Sequence, residues 1–192
     1  MVEMSVAGLA LDASSRSPIV LLRDPSGQRQ VPIWIDHAQA HNIMVGFQDR
    51  SPERPLSHDL MMALLQAGKL NLEKVIIHSI EARSFQAVLK LSFLEEQKIS
   101  LGNSKNVIEI DARPSDAIAL AIRAKCGIWM LENVVAEASI PVDAIADEED
   151  QEQFRQFIDE LSPADLIRHL EEKQANEKDS FEPPEQTSET DE

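Results

Sequence analysis

The chain has a single cysteine, Cys126, among its 192 residues. One thiol excludes an internal disulfide framework and suits a reducing cytoplasm. Placed beside Gly127, it reads as a small packing residue. No apolar run approaches the length of a membrane span, and the opening Met1-Val2-Glu3-Met4 is acidic and alternating, unlike a basic, apolar leader. The expectation is a cytoplasmic protein that makes no membrane contact. A glycine-rich phosphate loop, a Gly-x-Ser-x-Gly elbow and a Walker pattern are all missing. Basic residues form no run either, since Lys69, Lys74, Arg83 and Lys90 stand apart. His37 and His41 are spaced for one helix face, but no cysteine pair or third nearby histidine completes a zinc set.

What is abundant is negative charge, and it is unevenly placed. The formal net charge is −16. Sixteen acidic and fourteen basic residues precede Asp143, while eighteen acidic and four basic residues follow from it onward. The body is therefore close to neutral at −2, and the tail carries −14. A neutral body is not what non-specific nucleic-acid binding favours, because that affinity comes mostly from Lys and Arg at phosphates. It leaves room for a local basic cleft.

Periodicity divides the chain into short elements. Residues 3–11, 18–23 and 30–35 read as strands joined by turns, the second turn being Asp24-Pro25-Ser26-Gly27. This is an antiparallel meander, followed by a helix over residues 36–47. Ser57 reads as the N-cap of a helix over 58–67, with Gly68 as its stop. Leu60, Met61, Leu64 and Leu65 form its apolar stripe. Residues 72–80 and 85–93 read as a hairpin, 95–106 as a polar connection with a short strand at Ile99, and 127–131 as a last strand.

The stretch 107–123 organises the rest. Ile108 and Ile110 alternate with Glu109 and Asp111 as a half-buried strand. Pro114 ends the strand, having no N–H to donate, and its fixed φ suits a first helical turn. Asp116 falls in that turn, where a carboxylate meets the positive helix end. An echo links this corner to an earlier one. Ile33-x-Ile35-Asp36 followed seven residues later by Ile43 matches Ile108-x-Ile110-Asp111 followed by Ile118, and each copy follows two strand-like segments and leads into a helix. The pattern predicts an α+β fold, with a mixed, mostly antiparallel sheet, helices packed on it and a possible duplicated βββα unit.

Arg54-Pro55-Leu56-Ser57-His58-Asp59-Leu60 and Asp111-Ala112-Arg113-Pro114-Ser115-Asp116-Ala117-Ile118-Ala119-Leu120 resemble the bifunctional nuclease (BFN) family. Gly8-Leu9-Ala10-Leu11-Asp12, Leu21-Leu22-Arg23 and Pro32-Ile33-Trp34-Ile35 are similar to it too. The resemblance covers roughly the first 135 residues and implies nuclease activity on DNA and RNA. One departure stands out. Gln39 occupies a place where the family pattern has glutamate, which puts activity in doubt if that glutamate holds a metal or substrate.

Two clusters carry the chemistry expected of such a domain. His58 suits a general base or acid, imidazole being the side chain for proton transfer near neutral pH, with Asp59 as a metal ligand or its orienter. The structural alternative makes Asp59 a first-turn charge and His58 a hydrogen-bonded corner residue. In the second cluster Arg113 suits bidentate phosphate binding, and Asp111 with Asp116 suits Mg²⁺ or Mn²⁺ completed by water. The alternative there is an internal Arg113–Asp pair locking strand to helix. The catalytic expectation is thus His58, Asp59, Asp111 and Asp116, with Arg54, Arg113 and Ser115 binding substrate and Asp111 and Asp116 holding any metal. The expected organisation is a BFN-like domain over 1–135, an acidic helical extension over 143–173 and a disordered acidic tail over 174–192. Expected partners are nucleic acid, a homo-oligomer through the folded body, and a protein partner for the tail through Phe154, Phe157 and Leu161. The rival to phosphodiester hydrolysis is a non-catalytic ligand-binding or regulatory module.

Overall fold

The computed structural model describes residues 1–47, 53–94 and 107–142. The chain divides into units Met1–Phe154 and Arg155–Glu192, and every described residue lies in the first. The expected connection over 95–106, the extension 143–173 and the tail 174–192 lie outside the described residues.

The opening meander is β1 (Val2–Leu11), β2 (Pro18–Arg23) and β3 (Arg29–Trp34), followed by helix α1 (His37–Phe47). Helix α2 (Ser57–Ala67) comes next. A second meander of β4 (Leu70–Glu81), β5 (Ser84–Phe93) and β6 (Val107–Ala112) leads into α3 (Pro114–Ala124). The βββα order thus occurs twice, with α2 between the copies. Strand β7 (Gly127–Met130), helix α4 (Glu132–Ala138) and strand β8 (Ile140–Pro141) complete the described chain.

All eight strands join one mixed sheet in the order β6-β5-β4-β7-β1-β2-β3-β8. Strand β7 unites the two meanders, running parallel to β4 and antiparallel to β1. Strand β1 changes partner along its length: Val2 to Met4 pair with β7, and Ser5 onward with β2, with a bulge between Val6 and Gly8. The core lies between this sheet and helices α1 and α3, where Leu22, Ile43, Ile77, Leu91, Ile118 and Met130 are fully buried. Burying one such side chain contributes about 1.5–3 kcal/mol. Helix α3 buries Ala117, Ile118, Ala119, Leu120 and Ala121 in succession, and three alanines among them let α1 and the sheet approach closely. No helix among the described residues is long and apolar enough to cross a membrane.

Helix α2 differs from its expected form in two ways. Its N-cap is Leu56, with Ser57 already helical, and the Asp59 carboxylate accepts the Leu56 N–H at 2.8 Å. A first-turn carboxylate reaching back over the helix start replaces the serine hydroxyl. The apolar stripe also faces outward. Leu60, Met61 and Leu64 are 53%, 43% and 62% exposed, and His58 is the buried residue of this helix. Helical spacing reports that an apolar face exists, not what covers it.

Candidate functional site

A pocket of about 510 Å³ opens where the two strand-to-helix corners meet. One wall is the β3–α1 corner, contributing Trp34 and Gln39. The β6–α3 corner contributes Asp111, Arg113 and Ser115. The β4–β5 turn closes the third side with Arg83 and Phe85. The sequence echo therefore acquires a spatial meaning: equivalent corners of the two βββα copies both line one cavity.

Each corner has a local cause. In the first, Asp36 and Gln39 form a reciprocal capping pair. The Gln39 N–H donates to Asp36 Oδ1 at 2.8 Å, and Gln39 Oε1 accepts the Asp36 N–H at 2.9 Å. A capping box accepts Gln or Glu at this third position, so Gln39 keeps the corner shape while removing a charge from the wall. In the second corner Arg113 caps α3 in extended conformation, and Pro114 opens the helix. Arg113 and Asp111 are exposed, while Ser115 is buried. Arg113 forms no ion pair with a described aspartate, so the internal lock considered above is not made.

The third side is the part that sequence reasoning missed. Glu81 pairs with Ser84 across a two-residue turn in which Ala82 and Arg83 both have positive φ, 47° and 66°. That is the backbone of a type I′ hairpin turn, which normally carries Asn-Gly because β-carbons are strained there. The turn places Arg83 with Arg113 among the residues that line the pocket. Replacing Ala82-Arg83 by Asn-Gly is expected to raise stability by about 1–2 kcal/mol and to weaken any anion held in the pocket. Denaturant midpoints and anion titration would read the two effects, and a stability unchanged by the swap would show the turn to be unstrained. The signal in the sequence was the two-residue spacing between strands, without the usual turn residues.

The remaining predicted residues are not part of the pocket lining. His58 Nε2 lies 3.1 Å from Asp116 Oδ1, joining α2 to the first turn of α3. The His58 side chain is 6% exposed, and its Nδ1 is buried with no partner among the described residues. Asp59 Oδ1 accepts the Arg123 Nε–H at 2.6 Å, and Arg123 Nη1 donates to the backbone oxygens of Asn42 and Ala119 at 2.9 and 3.1 Å. Arg123 thereby ties α1, α2 and α3 together. The hydrogen bond from Arg123, helped by the Leu56 N–H, holds the Asp59 carboxyl below its usual range against the opposing effect of burial. Gly46 makes room for this tie, since a β-carbon there would lie 2.8 Å from Arg123 Nη1. Arg54 is exposed ahead of α2 and does not line the pocket.

The expected residues thus form two groups. Asp111, Arg113 and Ser115 share the pocket, and His58, Asp59 and Asp116 lie in the ties between helices. Among the described residues no three His, Cys, Asp or Glu side chains cluster as a metal cage. Of the two aspartates expected to hold Mg²⁺ or Mn²⁺, Asp111 lines the pocket and Asp116 is engaged by His58. Burial pushes the Cys126 thiol up, away from nucleophilic character.

Residues 20–143 match the family model of the bifunctional nuclease domain. Two uncharacterized proteins of Mycobacterium tuberculosis, one from each of two strains, are 33% identical over 174 residues. The match covers 86% of this chain and 98% of each relative. It therefore runs past residue 143, further than the resemblance read from the motifs alone.

Proposed function

Because the chain belongs to the bifunctional nuclease domain family, we propose that the corner pocket binds a nucleic-acid backbone and that the protein hydrolyses phosphodiester bonds there, in DNA and RNA. The observation that supports this most is the pairing of Arg83 and Arg113 around Asp111 in one cavity. Guanidinium groups suit phosphate because their donors match its oxygens bidentately and stay charged. The positive ends of α1 and α3 add to that field. Arg113 and Arg83 bind and orient the phosphate and offset the charge that builds up at its oxygens. Asp111 accepts a hydrogen bond from the attacking water and directs it.

The sequence offers a competing role for His58 as general base or acid, and Asp116 stands 3.1 Å from its imidazole. That role needs substrate to reach a buried imidazole, whereas Asp111 already lies on the pocket wall. The two assignments separate by mutation. Asp111→Asn and Arg113→Ala in highly purified protein should each cut degradation of labelled DNA and RNA about 10²-fold or more. His58→Gln should act mainly on melting temperature. If His58→Gln abolishes cutting at unchanged stability while Asp111→Asn cuts normally, the pocket assignment is wrong.

A second reading has its own support. Three of the four residues expected to do acid–base work are engaged in ties between helices, and Gln39 is uncharged. On that reading the pocket holds nucleic acid without cutting it. Equal degradation by the parent and by the Arg83, Asp111 and Arg113 variants would identify a contaminant and favour this second reading.

A further inference from the structure

We infer that the pocket takes an unpaired base, so that the ligand is single-stranded nucleic acid, with the base stacked on Trp34. The inference rests on the proposed reading of the pocket as a nucleic-acid site and narrows it.

Trp34 is the starting point. The chain has two tryptophans, and this one ends β3 with 57% of its surface exposed. Indole is large and favours burial or a partner for its face. Trp34 lines the pocket, where Phe85 is a second aromatic and Arg83 and Arg113 supply cations. Aromatic faces together with guanidinium groups are the combination that holds single strands, since bases stack on rings while cations follow the phosphates. Arginine planes also stack on bases. A pure phosphate site needs no aromatic ring.

Size and geometry point the same way. A cavity of about 510 Å³ admits a small-molecule-sized group, not the cross-section of a duplex. Bases in a duplex have both faces covered by their neighbours. Reaching one requires unstacking or flipping, at a cost of a few kcal/mol that a free strand avoids. The uncharged Gln39 amide among the pocket-lining residues offers an NH₂ donor to a base edge, which a carboxylate there would not. Gln39 Oε1 already accepts the Asp36 N–H, so the free NH₂ is the group left for a ligand.

The test uses the full chain and three labelled DNA ligands of equal length: a single strand, a duplex and an abasic strand carrying the same phosphates. Anisotropy at low salt should show the single strand bound at least tenfold tighter than the other two. Trp34→Ala should lower single-strand affinity by about 5- to 150-fold and leave abasic affinity unchanged, whereas Arg113→Ala should weaken all three. Trp34→Phe should recover most of the loss. In a Trp129→Phe background, Trp34 fluorescence should be quenched by the single strand and not by the abasic one. Because Trp34 is exposed, its removal leaves no internal cavity, and circular dichroism would confirm the fold. Equal affinity for single strand, duplex and abasic strand would overturn the inference while leaving the phosphodiester reading intact. No binding of any of the three would overturn both. Single-strand preference that survives Trp34→Ala would move the stacking site elsewhere and overturn the assignment to Trp34.

Discussion

Arg123→Ala is expected to destabilise the protein by about 3–5 kcal/mol and to lower its melting temperature by about 6–20 °C. The guanidinium is 8% exposed on its side chain, donates to Asp59 and to two backbone carbonyls, and sits where α1, α2 and α3 meet. Truncation leaves a partly buried carboxylate and two carbonyls without their donor, and that loss exceeds what the intact ion pair contributes. Arg123→Lys should recover only part of the loss, because an ammonium cannot span the three acceptors in the same fork. Gly46→Ala should act on the same contact from α1, pressing a methyl against Arg123 Nη1.

The same pair sets an acid limit. Asp59 has a folded-state pKa below its ordinary value near 3.8. A depressed pKa means that the contribution is fully present above the unfolded value and is lost as pH falls through the folded one. The loss therefore belongs below about pH 4. Asp59→Asn should flatten stability against pH in that window and lower it at neutral pH. Denaturant titrations at several pH values would show this, and an unchanged slope would remove Asp59 as the cause.

Removing the acidic tail is expected to tighten nucleic-acid binding by about tenfold at low salt, a change of ~1.4 kcal/mol. Of the net −16, the residues from Asp143 onward carry −14. Carboxylates tethered to a cationic pocket compete with phosphate or repel it, and both routes have the same sign. The gain should shrink as salt rises, since exposed charges are screened beyond about 8 Å at physiological ionic strength. A cut after Ile140 would divide β8, which pairs with Arg29 and Gln30, and Val142 donates its N–H to the Gln28 oxygen. The cut therefore belongs after Val142. Isotherms at two salt concentrations for full-length and shortened chains would decide. Equal affinities at low salt would point instead to a protein partner docking through Phe154, Phe157 and Leu161.

The elements were legible where the chemistry is local. Alternation marked the meander and the hairpin, and Pro114 with Asp116 marked the start of α3. Strand order was not legible. Nothing near residues 127–130 says that this short strand separates the two meanders, because pairing is decided by partners far away in the chain. Residues 132–141, read as no element, form α4 and β8. The apolar stripe of α2 was legible but its exposure was not, since spacing alone does not distinguish a covered face from an open one. At the pocket, Asp111, Arg113 and Ser115 were visible because a motif holds them together. Trp34, Arg83 and Phe85 were invisible because each is ordinary in its own neighbourhood and gains meaning only when the sheet closes. His58 and Asp59 were conspicuous for the opposite reason, being reactive residue types that the fold uses as ties.

The two corners also constrain how such a chain can change over generations. Neither βββα copy carries a pocket of its own, as one supplies an indole and an amide and the other supplies the charges. A substitution at Gln39 is therefore felt by whatever Arg113 holds, though the two positions lie in different halves. Recombination that exchanged one half for a foreign one would inherit half a binding surface. The copies are free to drift apart in sequence only along paths on which each remains matched to the other.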